Sequence, residues 1–546
     1  MFVASRLSVR AQHAASRPAS IVTRSVASAA LAFARHGQPT EVLKFHNFHV
    51  NWEDQPVGPR GARLRLVGAP IHPADINTIE GVYPIRPGAL PAIGGNEGVF
   101  EVVELGAEVQ AGELLYDAPR PRLGSRVDPG ADVRGAELHR ALLQADDGAV
   151  GGGGPGGLDA VMAAAAAASD RLLLPDQGAD AEAGGPGGAA APRSPVGLAV
   201  GDWVVLPQAG AGTWRSVLAV DDCRDLLLVQ RTGCYLNGES NLTPAEAATM
   251  SINPLTAYRL LADFLPGGGV QPGMVILQNA ANSAVGLAVI QLAQALGHHT
   301  VNVIRARGTA DETEALRRRL LRFGATVVLT EEELKARGRG ARGSGGAGGA
   351  GAGPAADPEA ALAAALNDRP VVTHPSSGRL LRGVAETLGR PASAEQVEAL
   401  RAGEGAIEAH VAFNAVCGVH GSELSRHLRP GASVVTYGGL ARAPLSVGAG
   451  PFIFNDIAAR GFWLTRWAAN ADLATRQRAL DSIALAVRRR IVVLPTQAFP
   501  FDEEGTGRAL RAATGAIGAG PADGQQPAFG DGRKPVMVRP DLLRMC

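Results

Sequence analysis

At 546 residues the chain exceeds one ordinary domain, yet its 70 glycines are more than that much packed core would hold, so part of the length must lie outside any core. Lys plus Arg and Asp plus Glu each number 52, which gives neither the basic excess of a nucleic-acid binder nor the acidic excess of a solvating tail. The expected partner is a small molecule, and with no apolar run reaching the roughly eighteen residues that span a bilayer, the mature protein is expected to be soluble.

Residues 1–40 contain Arg6, Arg10, Arg17, Arg24 and Arg35, many Ser and Ala, and no acidic residue. This is the composition of an organellar presequence, with an ordinary flexible terminus as the alternative. Mitochondrion is the first expectation and plastid the second. Next comes "INTIEGVYP", residues 76–84, where Tyr83 stands in a loop between small and turn-forming residues. A tyrosine there is either a packing handle with a wet hydroxyl or a proton donor.

From about 120 to 197, and again from about 335 to 366, Gly and Ala dominate and the β-branched and aromatic residues that would offset ordering entropy are scarce. Both read as surface insertions, with a shorter one at 515–532. Within the first, "MAAAAAASDRLLLP" would form at most a marginal helix. The cysteines Cys223, Cys234, Cys417 and Cys546 form no CxxC, so neither a zinc knuckle nor a disulfide framework is indicated, and the single CxxH of Cys417 and His420 lacks further ligands nearby.

"MVILQNAANSAVGLAVIQLAQALGHHTVNVIRAR", residues 274–307, predicts a βαβ unit: a strand at 274–277, a small-residue turn, a helix with Val285, Ala288, Val289, Leu292 and Leu296 on one face, and a strand at 300–304. In dinucleotide sites such a turn lets backbone N–H groups and the helix N-terminus approach a pyrophosphate. Ala281, Ser283 and Gly286 fill the GxGxxG places, so the motif by itself is weak. Where an acid would bind a ribose 2′-hydroxyl, Arg305 and Arg307 stand instead. Two guanidinium forks suit a 2′-phosphate and favour NADPH over NADH, the alternative being a solvated basic edge. Further strands and turns at 325–330, 410–418, 432–439 and 461–467 imply an α/β, doubly wound parallel sheet, with Asn414, Tyr437, Gly438 and Gly439 near strand ends, where such sheets bind ligands.

Seven stretches in order, "APIHPADINTIEGVYP", "PAIGGNEGVFEVVELG", "VGDWVVLPQAGAGTW", "INPLTAYRLL", "QNAANSAVG", "VTYGGLA" and "RGFWLTRW", resemble the mitochondrial 2-enoyl thioester reductases of the medium-chain dehydrogenase/reductase superfamily. The resemblance implies a GroES-like catalytic domain, discontinuous in sequence, beside a Rossmann domain, with disordered Gly/Ala-rich insertions. The corresponding division is a presequence at 1–30, catalytic domain at 31–255 with an insertion at 121–197, Rossmann domain at 256–462 with an insertion at 335–400, and a catalytic remainder at 463–546. It further implies a homodimer in the mitochondrial matrix that uses NADPH to reduce the trans-2 double bond of enoyl-CoA or enoyl-ACP.

By the same resemblance Tyr83 is the proton donor and Asn253 faces the nicotinamide half. Asn282, Ser283, Ala284 and Val285 meet the pyrophosphate, with Ala284 in place of a usual glycine, and Arg305, Ala306 and Arg307 take the adenosine phosphate. Tyr437, Gly438, Gly439 and Leu440, with Phe462, Trp463 and Leu464, line the nicotinamide side, and Lys534 closes the site. Zinc members of the superfamily carry ligands where His72 and Asn96 stand here, and an asparagine is a poor zinc ligand, so no metal is expected. A quinone reductase of the same superfamily and a non-catalytic NADPH-binding regulator are the alternatives.

Overall fold

The computed structural model describes residues 25–51, 56–109, 198–206, 210–231, 241–269, 271–343, 388–404, 406–518 and 533–546. They form two sheet-based domains and a small three-stranded sheet. The Rossmann sheet has six parallel strands in the spatial order Val327–Thr330, His299–Ile304, Val275–Gln278, Ala409–Asn414, Leu428–Thr436, Ala458–Gly461. Chain order runs outward both ways from the middle, so the switch point lies between Val275–Gln278 and Ala409–Asn414, where such sheets open a crevice at their carboxyl ends. The three central strands His299–Ile304, Val275–Gln278 and Ala409–Asn414 are buried almost throughout, as strands covered on both faces are.

The catalytic sheet has seven strands. Six run in the order Thr496–Pro500, Lys534–Val538, Ala62–Pro70, Val99–Leu105, Trp203–Val205, Leu227–Gln230, and Val217–Val220 adds to Ala62–Pro70. It is mixed, since Thr496–Pro500 and Lys534–Val538 run parallel while the latter meets Ala62–Pro70 antiparallel. Leu227–Gln230 ends this order, and Gln477 covers its open backbone groups: the side-chain amide donates to the Leu228 carbonyl at 2.8 Å and accepts from the Leu228 N–H at 2.9 Å.

Several sequence boundaries move. The presequence limit at 30 falls inside the strand Ser25–Phe33, which pairs antiparallel with Leu43–Asn51 and buries Leu31 and Phe33; residues 1–24 lie outside the described residues. The insertion at 335–400 is too wide at both ends. The helix Glu331–Gly343 covers its start, and Val397 and Leu400 of the helix Ala394–Ala402 are buried, Leu400 in the Rossmann core with Leu334. Helical apolar spacing, not composition, decides those residues. The insertion at 121–197 and its short helix lie outside the described residues, as do 344–387 and 519–532.

The limit between 255 and 256 cuts the helix Asn253–Phe264, and the chain rejoins the catalytic sheet only at Thr496–Pro500, not at 463. Between them the helix Leu473–Arg488 buries Leu480 and Ile483 in a core shared with Leu255, Tyr258 and Leu261. "GFWLTRW" is not a strand. Ala458–Gly461 ends as it begins, and Leu464–Asn470 is a helix.

Two buried histidines hold the entry to the first Rossmann strand. His410 Nδ1 accepts from the Val275 N–H at 2.8 Å, and His298 Nε2 donates to the Gly269 carbonyl at 2.8 Å while Nδ1 accepts from the Met274 N–H at 3.4 Å. A backbone N–H on Nδ1 requires a neutral ring, and burial pushes both groups down to about 4. Because the folded state resists protonation while the unfolded chain binds protons near pH 6.5, this stability is full above about pH 6.5 and is lost as pH falls toward 4. Between pH 7 and 5 unfolding free energy should drop by about 1–2 kcal/mol per imidazole. Urea unfolding at the two pH values checks this: the drop should shrink in His410→Asn, and an equal drop in that variant would reject it.

Candidate functional site

The carboxyl ends of the two central Rossmann strands are tied by side-chain amides. Asn279 Nδ2 donates to Asn414 Oδ1 at 2.8 Å and Asn279 Oδ1 accepts from the Ala415 N–H at 2.7 Å, which fixes the crevice between the two turns. After Asn279 the chain passes Ala280 at φ 48°, a left-handed conformation that favours glycine, and enters the helix Ala284–Ala295. Ser283 caps that helix by accepting from the Gly286 N–H at 3.1 Å. A Cβ on Gly286 would lie 2.6 Å from the Ala281 carbonyl oxygen, so this glycine lets the helix start close against the strand end.

The catalytic domain supplies the opposite wall. In "GGNEG", Gly94 and Gly95 lie on the fully buried Trp214 ring, where a Cβ would come within 2.4 and 2.5 Å of ring carbons. Thr213 Oγ1 donates to the Glu97 carbonyl at 2.7 Å, so the turn is wedged with Asn96 on the outer cavity and the Glu97 side chain buried beneath it. His72 caps the helix Pro73–Glu80, which ends at Gly81 (φ 79°), and Tyr83 follows with its N–H on the Asn77 carbonyl at 3.0 Å. Arg442, beyond "VTYGGLA" on the Rossmann side, reaches across to Asn77 Oδ1 at 2.8 Å and Glu80 at 3.2 Å.

Between the walls lie two adjoining cavities that share His72, Pro73, Asn253, Val285 and Tyr437. The inner one, about 240 Å³, runs along Asn282, Ser283, Ala284 and Val285, then Gly438 and Leu440, and reaches Lys534. The outer one, about 290 Å³, holds Tyr83, Asn96, Phe462, Trp463 and Leu464. Trp463 is 42% exposed, so it belongs to the cavity wall and not to the core. Gly439, Arg305, Ala306 and Arg307 line neither cavity. The last three follow the strand His299–Ile304, adjacent to the turn, with Arg305 and Arg307 half-buried and Ala306 exposed. Burial and the neighbouring Arg305 charge lower the pKa of Arg307, a pairing of cations that an anion would relieve.

Two polar atoms on the shared wall are buried without a protein hydrogen bond: Asn253 Nδ2 and the Tyr437 hydroxyl, which faces Ser283 and whose pKa burial pushes up. Buried donors are ordinarily satisfied, so both point to a ligand with acceptor groups at the junction of the cavities. A dinucleotide fits that donor set, the capped helix start and the closeness that Gly286 permits.

A buried ionic network under the site was not anticipated. Glu97 Oε2 is 2.6 Å from His72 Nε2, and Glu97 Oε1 accepts from Ser251 Oγ at 2.8 Å and the Ile252 N–H at 2.7 Å. Lys534 Nζ lies 2.9 Å from His72 Nδ1. Asp75 accepts from the His72 N–H at 2.7 Å and from Asn96 Nδ2 at 2.6 Å, while burial raises its pKa. Removing one partner from such a buried pair costs about 3–5 kcal/mol. Both ring nitrogens of His72 are thus engaged, Nε2 by the Glu97 carboxylate and Nδ1 by the Lys534 ammonium. The available signal was one glutamate among glycines in "GGNEG", which spacing could not pair with residues hundreds of positions away.

No protein-family model matches the chain. It is 29% identical over 441 residues to the mitochondrial enoyl-[acyl-carrier-protein] reductase of Rattus norvegicus, covering 81% of this chain and 74% of that protein. To the corresponding protein of Xenopus tropicalis it is 27% identical over 483 residues, 88% of this chain and 90% of that one. The chain is similar to the mitochondrial enoyl-[acyl-carrier-protein] reductases. Two solved relatives align with a TM-score of 0.56 and 21% identity over 94% of this chain and 100% of theirs: the mitochondrial 2-enoyl thioester reductase Etr1p/Etr2p heterodimer from Candida tropicalis and an Etr1p complex with NADP and crotonyl-CoA. The fold is that of the medium-chain dehydrogenases/reductases, GroES-like and Rossmann domains with the cleft between them.

Proposed function

We propose that this protein is an NADPH-dependent reductase of trans-2-enoyl thioesters, enoyl-CoA or enoyl-ACP, that works in the mitochondrial matrix as the last reductive step of organellar fatty-acid synthesis. One observation carries the reading: Tyr83 shares a cavity at the switch point of the Rossmann sheet with the unpaired Asn253 amide and Tyr437 hydroxyl. The similarity to mitochondrial enoyl-[acyl-carrier-protein] reductases supports the substrate class and the compartment.

Asn253, Asn282, Ser283, Ala284, Val285, Tyr437, Gly438, Leu440 and Lys534 would hold NADPH along the inner cavity, with Arg305 and Arg307 at its 2′-phosphate. Bound there, the cofactor supplies a hydride for the β-carbon of the enoyl group. Tyr83 holds the proton for the α-carbon: burial and the nearby Asp75 charge raise its pKa, so the phenol stays protonated at neutral pH. Val285, Phe462, Trp463 and Leu464 wall the outer cavity with apolar surface and exclude water from the developing enolate. After donation the half-buried phenolate recovers its proton from solvent.

The proposed assembly is a homodimer. Phe452, Ile453 and Phe454 are 41%, 70% and 79% exposed on the helix Ala449–Asn455, beside the open edge strand Ala458–Gly461, and a second copy would cover both. Sedimentation should show a dimer that Ile453→Asp with Phe454→Asp dissociates; a monomeric wild type would reject it.

The assay for the whole reading follows NADPH absorbance with short and medium trans-2-enoyl-CoA beside a quinone. Turnover of the enoyl-CoA is expected. Turnover of quinone alone would make the protein a quinone reductase, and NADPH binding without oxidation would make it a non-catalytic regulator.

A further inference from the structure

Lys534 opens the strand Lys534–Val538, His72 caps a helix of the first catalytic segment, and Glu97 sits in the wedged "GGNEG" turn, so three distant parts of the chain meet in one line of side chains. The protons along the line follow from its ends. Glu97 accepts at Oε1 from a hydroxyl and a backbone N–H, and its Oε2 faces His72 Nε2 at 2.6 Å, so Nε2 carries the imidazole hydrogen. The bare Nδ1 then accepts from the Lys534 ammonium at 2.9 Å. Lys534 also lines the inner cavity.

We propose that His72 is a positioning residue for Lys534: held by Glu97 as the Nε2–H tautomer, its imidazole fixes the Lys534 ammonium at the cavity wall. This rests on the reading of that cavity as the NADPH site. The charged and titratable groups facing Lys534 are His72, Glu97 and Asp75, with Arg533 beside it on the cavity wall. Burial pulls the ammonium down to about 8 while Glu97 and Asp75 oppose the fall, so its charge near neutral pH depends on this support. The line also joins cofactor contacts on both sides of the cleft, because Glu97 holds Ser251 and Ile252, which lead directly into Asn253.

Two measurements test this. In ligand-free protein labelled with ¹⁵N-histidine, the His72 resonances, assigned by their loss in His72→Gln, should show a neutral ring protonated at Nε2. A ring protonated at Nδ1 would overturn the proposal, whatever the cavity binds. NADPH affinity is then followed against pH by cofactor fluorescence in wild type, His72→Phe, Lys534→Met and the double variant. His72→Phe should weaken binding at pH 8 by about tenfold or more and move the alkaline loss of affinity about one pH unit lower, while adding little in the Lys534→Met background. Equal losses in both backgrounds with the alkaline limb unmoved would mean that His72 is merely structural, and would overturn the proposal. If His72→Phe does not fold, His72→Asn replaces it, since that shorter amide reaches the place of Nδ1 but not that of Nε2 and so does not join Glu97 to Lys534. A wild type that binds no NADPH refutes the cofactor reading instead, and the ring tautomer still decides the role of His72.

Discussion

Tyr83→Phe should lower kcat with an enoyl-CoA by about two to four orders of magnitude while leaving NADPH affinity near that of wild type. The substitution keeps the ring and nearly its volume and deletes only the hydroxyl, so the packing survives. The backbone of this loop does not depend on the phenol, because the Tyr83 N–H is held by the Asn77 carbonyl and the preceding turn by Gly81. A loop anchor would behave differently, with near-normal turnover and a modest loss of thermal stability. In the variant the space left by the hydroxyl admits a water that protonates the enolate slowly, which sets the floor of the residual rate. The decisive measurement is single-turnover NADPH oxidation, with chemistry rate-limiting, and near-normal turnover there removes Tyr83 from the mechanism.

An Arg305→Ala, Arg307→Ala double variant should lose most of an NADPH preference that in wild type is expected to be about tenfold or more over NADH. Arg305 and Arg307 follow the strand next to the small-residue turn, and burial together with the neighbouring Arg305 charge disfavours the charge on Arg307. A 2′-phosphate would neutralise that repulsion; a bare ribose would not. Glu331, which follows the adjacent strand Val327–Thr330, lies in the same field: desolvation raises its pKa, and His420 and Arg305 oppose the rise. The loss should therefore fall on KM for NADPH with little change for NADH. Steady-state kinetics with both cofactors check it, and equal kinetics in the wild type would leave the arginines a basic edge only.

The sequence by itself determined the parts of this protein whose signal is local. The βαβ unit at 274–307 is legible because strand burial and helix periodicity leave patterns within a few residues, and its strands differ from expectation by one position. The likeness to enoyl thioester reductases rests on short motifs that the fold places around one cleft: "IEGVYP" carries Tyr83, "INPLTAY" carries Asn253, and "VTYGGLA" carries Tyr437 through Leu440. Composition misjudged the margins. Residues 25–30 look like a leader until strand pairing with Leu43–Asn51 is seen, and 388–400 look like an insertion until Leu400 is found packed beneath the Rossmann sheet.

Only the tertiary structure decided which polar groups face one another. Glu97, His72 and Lys534 lie in three separate stretches, with His72 and Lys534 462 positions apart, and no periodicity links them. Their pairing arises because the strand Lys534–Val538 returns antiparallel beside Ala62–Pro70, whose end leads into His72. Likewise, it is only in the folded chain that Asn253 Nδ2 and the Tyr437 hydroxyl come to be buried on the wall shared by both cavities without protein acceptors. Burial and partnership are properties of the assembled cleft, and a sequence motif carries neither until the chain has closed around it.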